Sequence, residues 1–188
     1  HLLEEVYNLE DALVCAQYLT SFLRRADVLK VACIAQIVNV IAPILTRPEG
    51  ILRQSIYYPF ALLSQYAHGR SLTPVIQGPT YRAGDRGEAP VLDAAASYDE
   101  ETGQAAIFLI NRSLGEELTV EIDLADREFA CLDAVDLLGG GDVKAVNSWE
   151  DPHRVVPTQG SASLTDEGRA RVRVPAPGLA VVRATVAG

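Results

Sequence analysis

The feature that most constrains this chain is a long apolar run between Asp27 and Thr46. Within it, the polar or ring-restricted interruptions are few: Lys30, Gln36, Asn39 and Pro43. A continuous run rich in β-branched residues is typical of a strand that is buried on both faces of a parallel sheet. We therefore predict a strand from Val28 to about Ala35, with Gln36 at or just past its C-terminal end.

The position of Gln36 and Asn39 makes these two amides candidates for a functional role. In a closed parallel barrel, polar side chains at the C-terminal ends of the strands face the mouth of the active site. A buried amide also costs free energy unless it finds a hydrogen-bond partner. The spacing alone favours the simpler interpretation, in which both amides bind neighbouring loop backbone.

Helical patterns flank the apolar run on both sides. Apolar residues recur at three- and four-residue intervals from Leu9 to Arg25, and Asn8 is a suitable N-cap. After a turn at 47–50, the segment Phe60–His68 is a second predicted helix, closed by Gly69. The order helix, buried strand, helix is found in barrels and in doubly wound sheets.

From Ser71 onward the sequence consists of short segments in which apolar and polar residues alternate, separated by Gly, Pro, Asp and Asn. This pattern predicts antiparallel strands with one face in water, arranged as a sandwich or jelly roll. The predicted strands are Val75–Ile76, Leu92–Tyr98, Ala105–Asn111, Glu117–Leu124, Ala130–Leu138, Arg154–Val156, Arg169–Val174 and Leu179–Thr185.

The composition excludes several classes of function. With 16 Lys and Arg against 25 Asp and Glu, the net charge of −9 argues against nucleic acid and against anionic membrane surfaces as partners. The apolar run is too interrupted for a transmembrane helix. Three isolated cysteines, Cys15, Cys33 and Cys131, predict buried reduced thiols and a cytoplasmic location, with no metal site and no cofactor. The absence of methionine predicts a C-terminal piece of a longer chain.

Specific residues carry a family resemblance. The segments 26–44 and 53–60 resemble the last barrel repeat of the family 51 glycoside hydrolases that are α-L-arabinofuranosidases, and 2–13 resembles the segment before that repeat. The run Ala-Gln-x-Val-Asn-x-Ile-Ala-Pro at 35–43 is the most specific part. The resemblance implies that residues 1–70 end a (β/α)₈ TIM barrel and that 71–188 form an accessory β-sandwich.

The same resemblance gives Gln36 a substrate-binding role in the sugar subsite, and leaves Asn39 as a residue that holds the loop presenting it. It also implies a retaining enzyme whose two catalytic glutamates lie upstream. Neither of the two glutamate motifs occurs here, so we expect no catalytic residue in this chain and no activity from the chain alone. Glu4 and Glu5 are the alternative acids, but adjacent acids before a helix are better explained by its dipole.

The implied partners follow from the same family. We expect the intact protein to remove terminal non-reducing α-L-arabinofuranosyl residues from arabinan- or arabinoxylan-type oligosaccharides, and to form a homo-oligomer. The remainder of the barrel would come from a missing segment or a companion chain. We expect residues 1–70 to be ordered only against such a chain or another copy, because their apolar faces otherwise lack cover.

Two other classes of function stay open at this stage. The first is a non-catalytic β-sandwich module for sugar binding or oligomerisation, and the second is a sibling activity on the same scaffold, such as an endoglucanase. Trp149 is the most plausible sugar-stacking residue of the sandwich, although a lone tryptophan is more often a packing anchor. Tyr57, Tyr58 and Phe60 are likewise either walls for a sugar or packing residues at a barrel rim.

Overall fold

Two antiparallel sheets packed face to face form the centre of the molecule, in a computed structural model that describes residues 4–187. The α-helices of the described residues are α1 Leu9–Arg24 and α2 Tyr57–Tyr66. The strands are β1 Ile44–Arg47, β2 Gly50–Arg53, β3 Arg70–Leu72, β4 Thr80–Arg82, β5 Glu88–Pro90, β6 Leu92–Asp99, β7 Gln104–Asn111, β8 Leu118–Ile122, β9 Phe129–Gly139, β10 Thr158–Gln159, β11 Ala162–Leu164, β12 Ala170–Val174 and β13 Gly178–Val186.

The larger sheet has six strands in the order β10-β9-β13-β7-β6-β3, and the smaller sheet has three in the order β11-β12-β8. The central strand β13 pairs with β7 and β9, so that Val181 lies opposite both Phe108 and Asp136. Alternate side chains of the larger sheet meet those of the smaller sheet in one apolar core, which includes Ile107, Val172 and Val182. The chain therefore contains the predicted antiparallel β-sandwich.

The outer face of the six-stranded sheet is covered by the two helices. The buried residues of α1 are Leu9, Ala12, Leu13, Ala16 and Thr20. The four apolar ones form a second core with Leu62 and Leu63 of α2 and with Phe108, Ile110 and Val181 of the sheet. Neither helix of the described residues combines the length and the hydrophobicity that crossing a bilayer requires.

The start of α1 is fixed as the sequence predicted. Asn8 and Asp11 form a capping box, in which the Asp11 N–H donates to Asn8 Oδ1 at 3.1 Å and the Asn8 N–H donates to Asp11 Oδ2 at 2.9 Å. The next two N–H groups, of Leu9 and Glu10, donate to the carbonyls of Ala145 and Val143. The helix N-terminus is thus tied to a loop of the sandwich.

A buried ion pair network joins the C-terminal half of α1 to the sheet. Asp93 of β6 is buried, and its Oδ1 lies 3.0 Å from Arg24 Nη1 of α1. Its Oδ2 lies 3.2 Å from Arg112 Nη2, at the end of β7. The hydroxyl of Thr20 also donates to Asp93 Oδ2 at 3.4 Å. Both oxygens of this buried carboxylate are therefore satisfied, as burial requires.

Most predicted elements are present, with a few errors. Both helices and the six longest predicted strands are confirmed, with ends that differ by at most a few residues. The strands predicted at Val75–Ile76 and Arg154–Val156 are wrong, since both segments are irregular. The N–H of Val155 donates to the Asn147 side chain at 2.7 Å, which replaces the ladder bond of a strand. The hairpin β1–β2 was not predicted.

The strand predicted at Val28–Ala35 is absent: these residues are irregular and mostly exposed, and Val31 keeps 78 % of its accessible surface. A parallel strand needs neighbours on both sides, and the described residues hold no parallel sheet to supply them. The barrel part of the expected fold is thus not found here. We expected residues 1–70 to be ordered only against another chain, but α1 and α2 pack on the sandwich. That expectation now applies only to residues 28–35, because Val38 and Asn39 already pair with Ile44.

The cysteines differ from the prediction in their exposure. Cys33 and Cys131 are exposed, and Cys15 is half-buried in α1, so the expectation of three buried thiols is wrong. All three are free thiols. Burial raises the pKa of Cys15 from 9.0 to about 11, because a thiolate loses hydration in an apolar surrounding.

Candidate substrate-binding site

Gln36 lies on an irregular segment, immediately before the loop that leads into β1, and its side chain is exposed. The peptide bond between Ala35 and Gln36 is cis. Within residues 4–187, no hydrogen bond holds the Gln36 amide. An exposed primary amide offers two donors and an acceptor oxygen, which match the donor and acceptor character of sugar hydroxyl groups.

Asn39 anchors the same loop through its side chain. Its backbone is in the left-handed region, with a φ of 59°, which asparagine tolerates better than most residues. Its Nδ2 donates to Thr46 Oγ1 at 2.9 Å, and the N–H of Thr46 donates to Asn39 Oδ1 at 2.8 Å. The Asn39 N–H also donates to the carbonyl of Ile44. The interpretation of Asn39 as a residue that holds the loop agrees with these bonds.

Gln54, at the junction of β2 and α2, is a second anchor that the sequence reasoning missed. Its side chain keeps only 1 % of its accessible surface. Its Nε2 donates to the carbonyls of Ala42 at 2.8 Å and Glu5 at 3.2 Å, and its Oε1 accepts from the N–H of Tyr7 at 3.1 Å. The sequence contained a signal for this role, because a glutamine among Leu52, Ile56 and other apolar residues must find hydrogen-bond partners when it is buried.

The hairpin β1–β2 contacts a loop of the sandwich through two side chains of that loop. Asn147 is buried, and its Nδ2 donates to the carbonyl of Arg53 at 2.9 Å and to that of Val155 at 3.0 Å. Trp149 is half-buried, and the guanidinium carbon of Arg47 lies 3.9 Å from its ring centre. Of the two interpretations of Trp149, this contact favours the packing anchor.

The aromatic residues at the start of α2 also serve packing. The rings of Tyr57 and Tyr58 meet edge to face, with 5.4 Å between their centres. Tyr58 packs against the core under the helices, and burial raises its pKa above the ordinary value. The guanidinium carbon of Arg53 lies 5.4 Å from the centre of the Tyr57 ring. These contacts favour the rim-packing interpretation for both tyrosines.

A cleft of about 380 Å³ lies between α1 and the segment 32–35. Its lining is largely apolar and includes Phe22, Ile34 and Phe60, together with the thiols of Cys15 and Cys33. Such a lining suits packing of further apolar side chains better than recognition of a hydroxyl-rich sugar. The cleft therefore marks incomplete packing around residues 32–35.

Glu4 and Glu5 are exposed and precede α1, where the sequence analysis placed them. The acids of the first turn are Glu10 and Asp11. The N–H of Glu5 donates to the carbonyl of Val40 at 2.8 Å, which gives the segment a role in backbone pairing. Among the described residues, no group of three or more His, Cys, Asp and Glu is placed to hold a metal ion.

Comparison with known proteins identifies the family. The model of the α-L-arabinofuranosidase C-terminal domain matches residues 1–177, and the chain belongs to this family. It is 39 % identical over 168 residues to the intracellular exo-α-(1→5)-L-arabinofuranosidase 1 of Bacillus subtilis (strain 168), covering 89 % of this chain and 33 % of the relative. It is 38 % identical over 180 residues to an exo-α-(1→6)-L-arabinofuranosidase of Bifidobacterium longum, covering 93 % of this chain and 34 % of the relative.

One solved structure agrees with this assignment, and a second shares the fold. The family 51 α-L-arabinofuranosidase AbfB of Bifidobacterium longum superposes with a TM-score of 0.90 at 32 % identity, over 98 % of this chain and 36 % of that one. The arabinose complex of the Thermotoga maritima α-L-arabinofuranosidase has the same fold, with a TM-score of 0.85 at 24 % identity over 97 % of this chain and 39 % of that one. The chain spans about a third of the length of the curated relatives it matches.

Proposed function

We propose that the whole protein carrying this chain is a retaining glycoside hydrolase that releases terminal non-reducing α-L-arabinofuranosyl residues from arabinan- or arabinoxylan-type oligosaccharides. Relatives named as exo-α-L-arabinofuranosidases support the proposal. Those names include both (1→5) and (1→6) linkages. We therefore assign the sugar that is released, an arabinofuranosyl unit, but not the linkage that is cleaved.

In this proposal, the chain contributes substrate binding and no catalytic carboxyl group. A retaining enzyme needs two carboxyl groups about 5–5.5 Å apart, which we place in the part of the protein outside this chain. The exposed amide of Gln36 would donate hydrogen bonds to a ring hydroxyl, or to the ring oxygen, of the sugar next to the scissile bond. The observation that carries this role is an unpaired amide on a loop that is itself firmly anchored by Asn39.

The test of this role is the kinetics of the intact protein on p-nitrophenyl α-L-arabinofuranoside. Gln36→Ala is expected to lower kcat/KM about 10- to 100-fold, which corresponds to a loss of ~1.4–2.7 kcal/mol of transition-state binding. The control is Gln77→Ala, because Gln77 is an exposed glutamine in an irregular segment of the sandwich. A Gln36→Ala enzyme with unchanged kcat/KM would refute the substrate-binding role.

We further propose that residues 1–70 belong to the end of a (β/α)₈ barrel, that residues 71–188 are the accessory sandwich, and that residues 28–35 become the last barrel strand when the rest of the barrel is present. The exposed apolar side chains of this segment and its lack of strand partners support the proposal. The missing neighbours would come from an adjoining segment or a companion chain.

The thiol of Cys33 provides the test of this strand. Cys33 is exposed in the chain alone and is expected to react with iodoacetamide there, but to be protected in the intact enzyme. Cys131, exposed on the sandwich, is the internal control that reacts in both. Equal labelling of Cys33 in the two proteins would exclude a buried barrel strand.

The competing interpretation, a sandwich that binds sugar by itself, has less support. Phe108 and Phe129 are buried in the core, and Trp149 is stacked by Arg47. Tyr81 is exposed but lies in the separate hairpin β4–β5.

An intracellular location is proposed from the names of relatives such as the Bacillus subtilis enzyme. A homo-oligomer remains a prediction, which size-exclusion chromatography of the intact protein tests.

A further inference from the structure

Four consecutive carbonyl groups just after Gln36 and Asn39 are each held by a hydrogen bond. The carbonyl of Val40 accepts from the Glu5 N–H at 2.8 Å, and that of Ile41 accepts from the Tyr7 hydroxyl at 2.9 Å. The carbonyls of Ala42 and Pro43 accept from the side chain and the backbone N–H of Gln54, at 2.8 and 2.9 Å. An irregular loop is rarely restrained at every successive residue, because loops usually leave carbonyls to water.

Gln54 controls all four of these bonds. It donates two of them directly, and its amide also holds the segment that provides the other two, through the Glu5 carbonyl and the Tyr7 N–H. The hydroxyl of Tyr7 stays a donor, because burial, with the nearby charges of Glu5 and Asp11, raises its pKa above the ordinary value. One buried residue, through its side chain and its backbone N–H, therefore fixes three stretches of backbone relative to one another.

Gln36 lies only three residues before Asn39 in the sequence, so it is close to the restrained part of the loop. Only Ile37 and Val38 separate Gln36 from Asn39, whose side chain is bonded to Thr46 of β1. Val38 in turn forms a parallel bridge with Ile44. Because the last residue of the β1–β2 hairpin directly precedes Gln54, the hairpin links the support of Gln36 to Gln54.

We propose that Gln54 is a positioning residue for substrate binding, which sets the location of the Gln36 amide by fixing the carbonyls from Val40 to Pro43. This inference rests on the proposed role of Gln36. Gln54 does not touch the substrate. Its effect on the reaction passes through the loop, since a small misplacement of a binding group is enough to lower the rate.

The experiment is a double-mutant cycle in the intact enzyme, with p-nitrophenyl α-L-arabinofuranoside as substrate. Gln54→Met keeps the side-chain volume and removes its three hydrogen bonds. It is expected to lower kcat/KM about 10-fold in the natural background and less than about 2-fold when Gln36 is already alanine, because a positioning effect needs the group it positions. A purely structural role gives the same loss in both backgrounds.

Ser55→Ala is the matched control. Ser55 is the buried neighbour of Gln54, and its hydroxyl donates to the carbonyl of Asn8 at 2.6 Å, away from the Gln36 loop. This variant is expected to lower the thermal stability while leaving kcat/KM within about 2-fold. A loss of kcat/KM equal to that of Gln54→Met would overturn the inference.

Tyr7→Phe keeps the inference testable if Gln54→Met does not fold. It removes only the bond to the Ile41 carbonyl and is expected to lower kcat/KM about 3-fold, again only while Gln36 is present. Additive losses overturn the positioning role of Gln54 and leave the proposed function standing. An unchanged kcat/KM for Gln36→Ala itself instead overturns the proposed role of Gln36 and, with it, this inference.

Discussion

The guanidinium carbon of Arg47 lies 3.9 Å from the centre of the Trp149 ring, which brings the tip of the β1–β2 hairpin onto a loop of the sandwich. A planar cation over an indole ring is attracted by the ring quadrupole, and the contact also shields the ring from water. Through this pair the sandwich supports the hairpin whose first strand anchors Asn39.

Loss of this contact is expected to be visible in fluorescence, because Trp149 is the single tryptophan of the sequence. In Arg47→Ala the emission maximum should shift to longer wavelength as the ring gains water, and the free energy of unfolding should fall by about 0.5–1 kcal/mol. Arg82→Ala, an exposed arginine of the hairpin β4–β5, is the control. An unshifted emission maximum in Arg47→Ala would contradict the stacked geometry.

Removing the charge of Asp93 is expected to destabilise the chain. Asp93→Asn leaves Arg24 and Arg112, whose side chains are only 29 % and 22 % exposed, without their carboxylate. The expected loss is about 2 kcal/mol, below the usual cost of breaking a fully buried pair because water still reaches both arginines.

Urea unfolding of the 188-residue chain measures this loss. The matched control is Asp123→Asn, since Asp123 is 69 % exposed and lies 3.6 Å from Arg169. That variant should change the free energy of unfolding by less than about 0.5 kcal/mol. Equal effects of the two substitutions would show that the Asp93 network adds nothing beyond a surface pair.

The three thiols of the chain are expected to react in two phases with a disulfide reagent at pH 8. Cys33 and Cys131 are exposed and should react quickly. Cys15, with a pKa of about 11, has a thiolate fraction of only about one in a thousand at that pH, and should react slowly. Cys15→Ser should remove the slow phase alone, and a slow phase that survives this change would refute the assignment.

The same thiol gives a pH dependence of stability. Its pKa is higher in the folded chain, about 11, than its ordinary value of 9.0. The unfolded chain therefore releases the proton first, and the free energy of unfolding should fall as the pH rises from about 9 towards 11. Comparison with Cys15→Ser isolates this contribution, because the variant lacks it. An identical alkaline decline in both proteins would count against a raised pKa.

Gly69 is expected to tolerate no side chain. It has a φ of +75°, and a Cβ atom there would lie 2.2 Å from the carbonyl oxygen of Tyr98. Gly69→Ala should lower the free energy of unfolding by about 3 kcal/mol, from the left-handed backbone and the displaced strand together. Gly50→Ala is the control, since a Cβ there would meet nothing within 4 Å. Thermal unfolding of the two variants compares them directly.

The sequence predicts best those elements whose partners lie within the same chain. The periodicity of α1 and the alternation in β8 and β12 each signal a face that the sandwich buries, and these elements are present. The apolar run at 28–35 also signals burial, but nothing in a local pattern says whether the partner strands are in the same chain. That is why Val31 is exposed where a buried strand was expected.

The residues of the candidate site also differ in how well the sequence predicts them. Asn39 was predicted to hold its own loop because a buried amide needs a hydrogen-bond partner nearby, and its bonds to Thr46 agree with that prediction. The partners of Gln54 lie 12 to 49 residues away in the sequence, so spacing gave no indication of them. Gln36 was predicted as a substrate-binding residue only from the order of residues around it, since the physics of a barrel does not specify that order.

Helix α1 has practical consequences for exchanging the sandwich between members of this family. Its residues Leu9 and Leu13 share a core with Phe108 and Val181, and its Arg24 forms an ion pair with Asp93. A transplant that begins at residue 71 would lack both helices, so the outer face of the six-stranded sheet would be uncovered. Asp93 would also lose its ion pair with Arg24. The unit that can be grafted intact therefore begins ahead of the capping box at Asn8, and it brings the Gln36 loop with it.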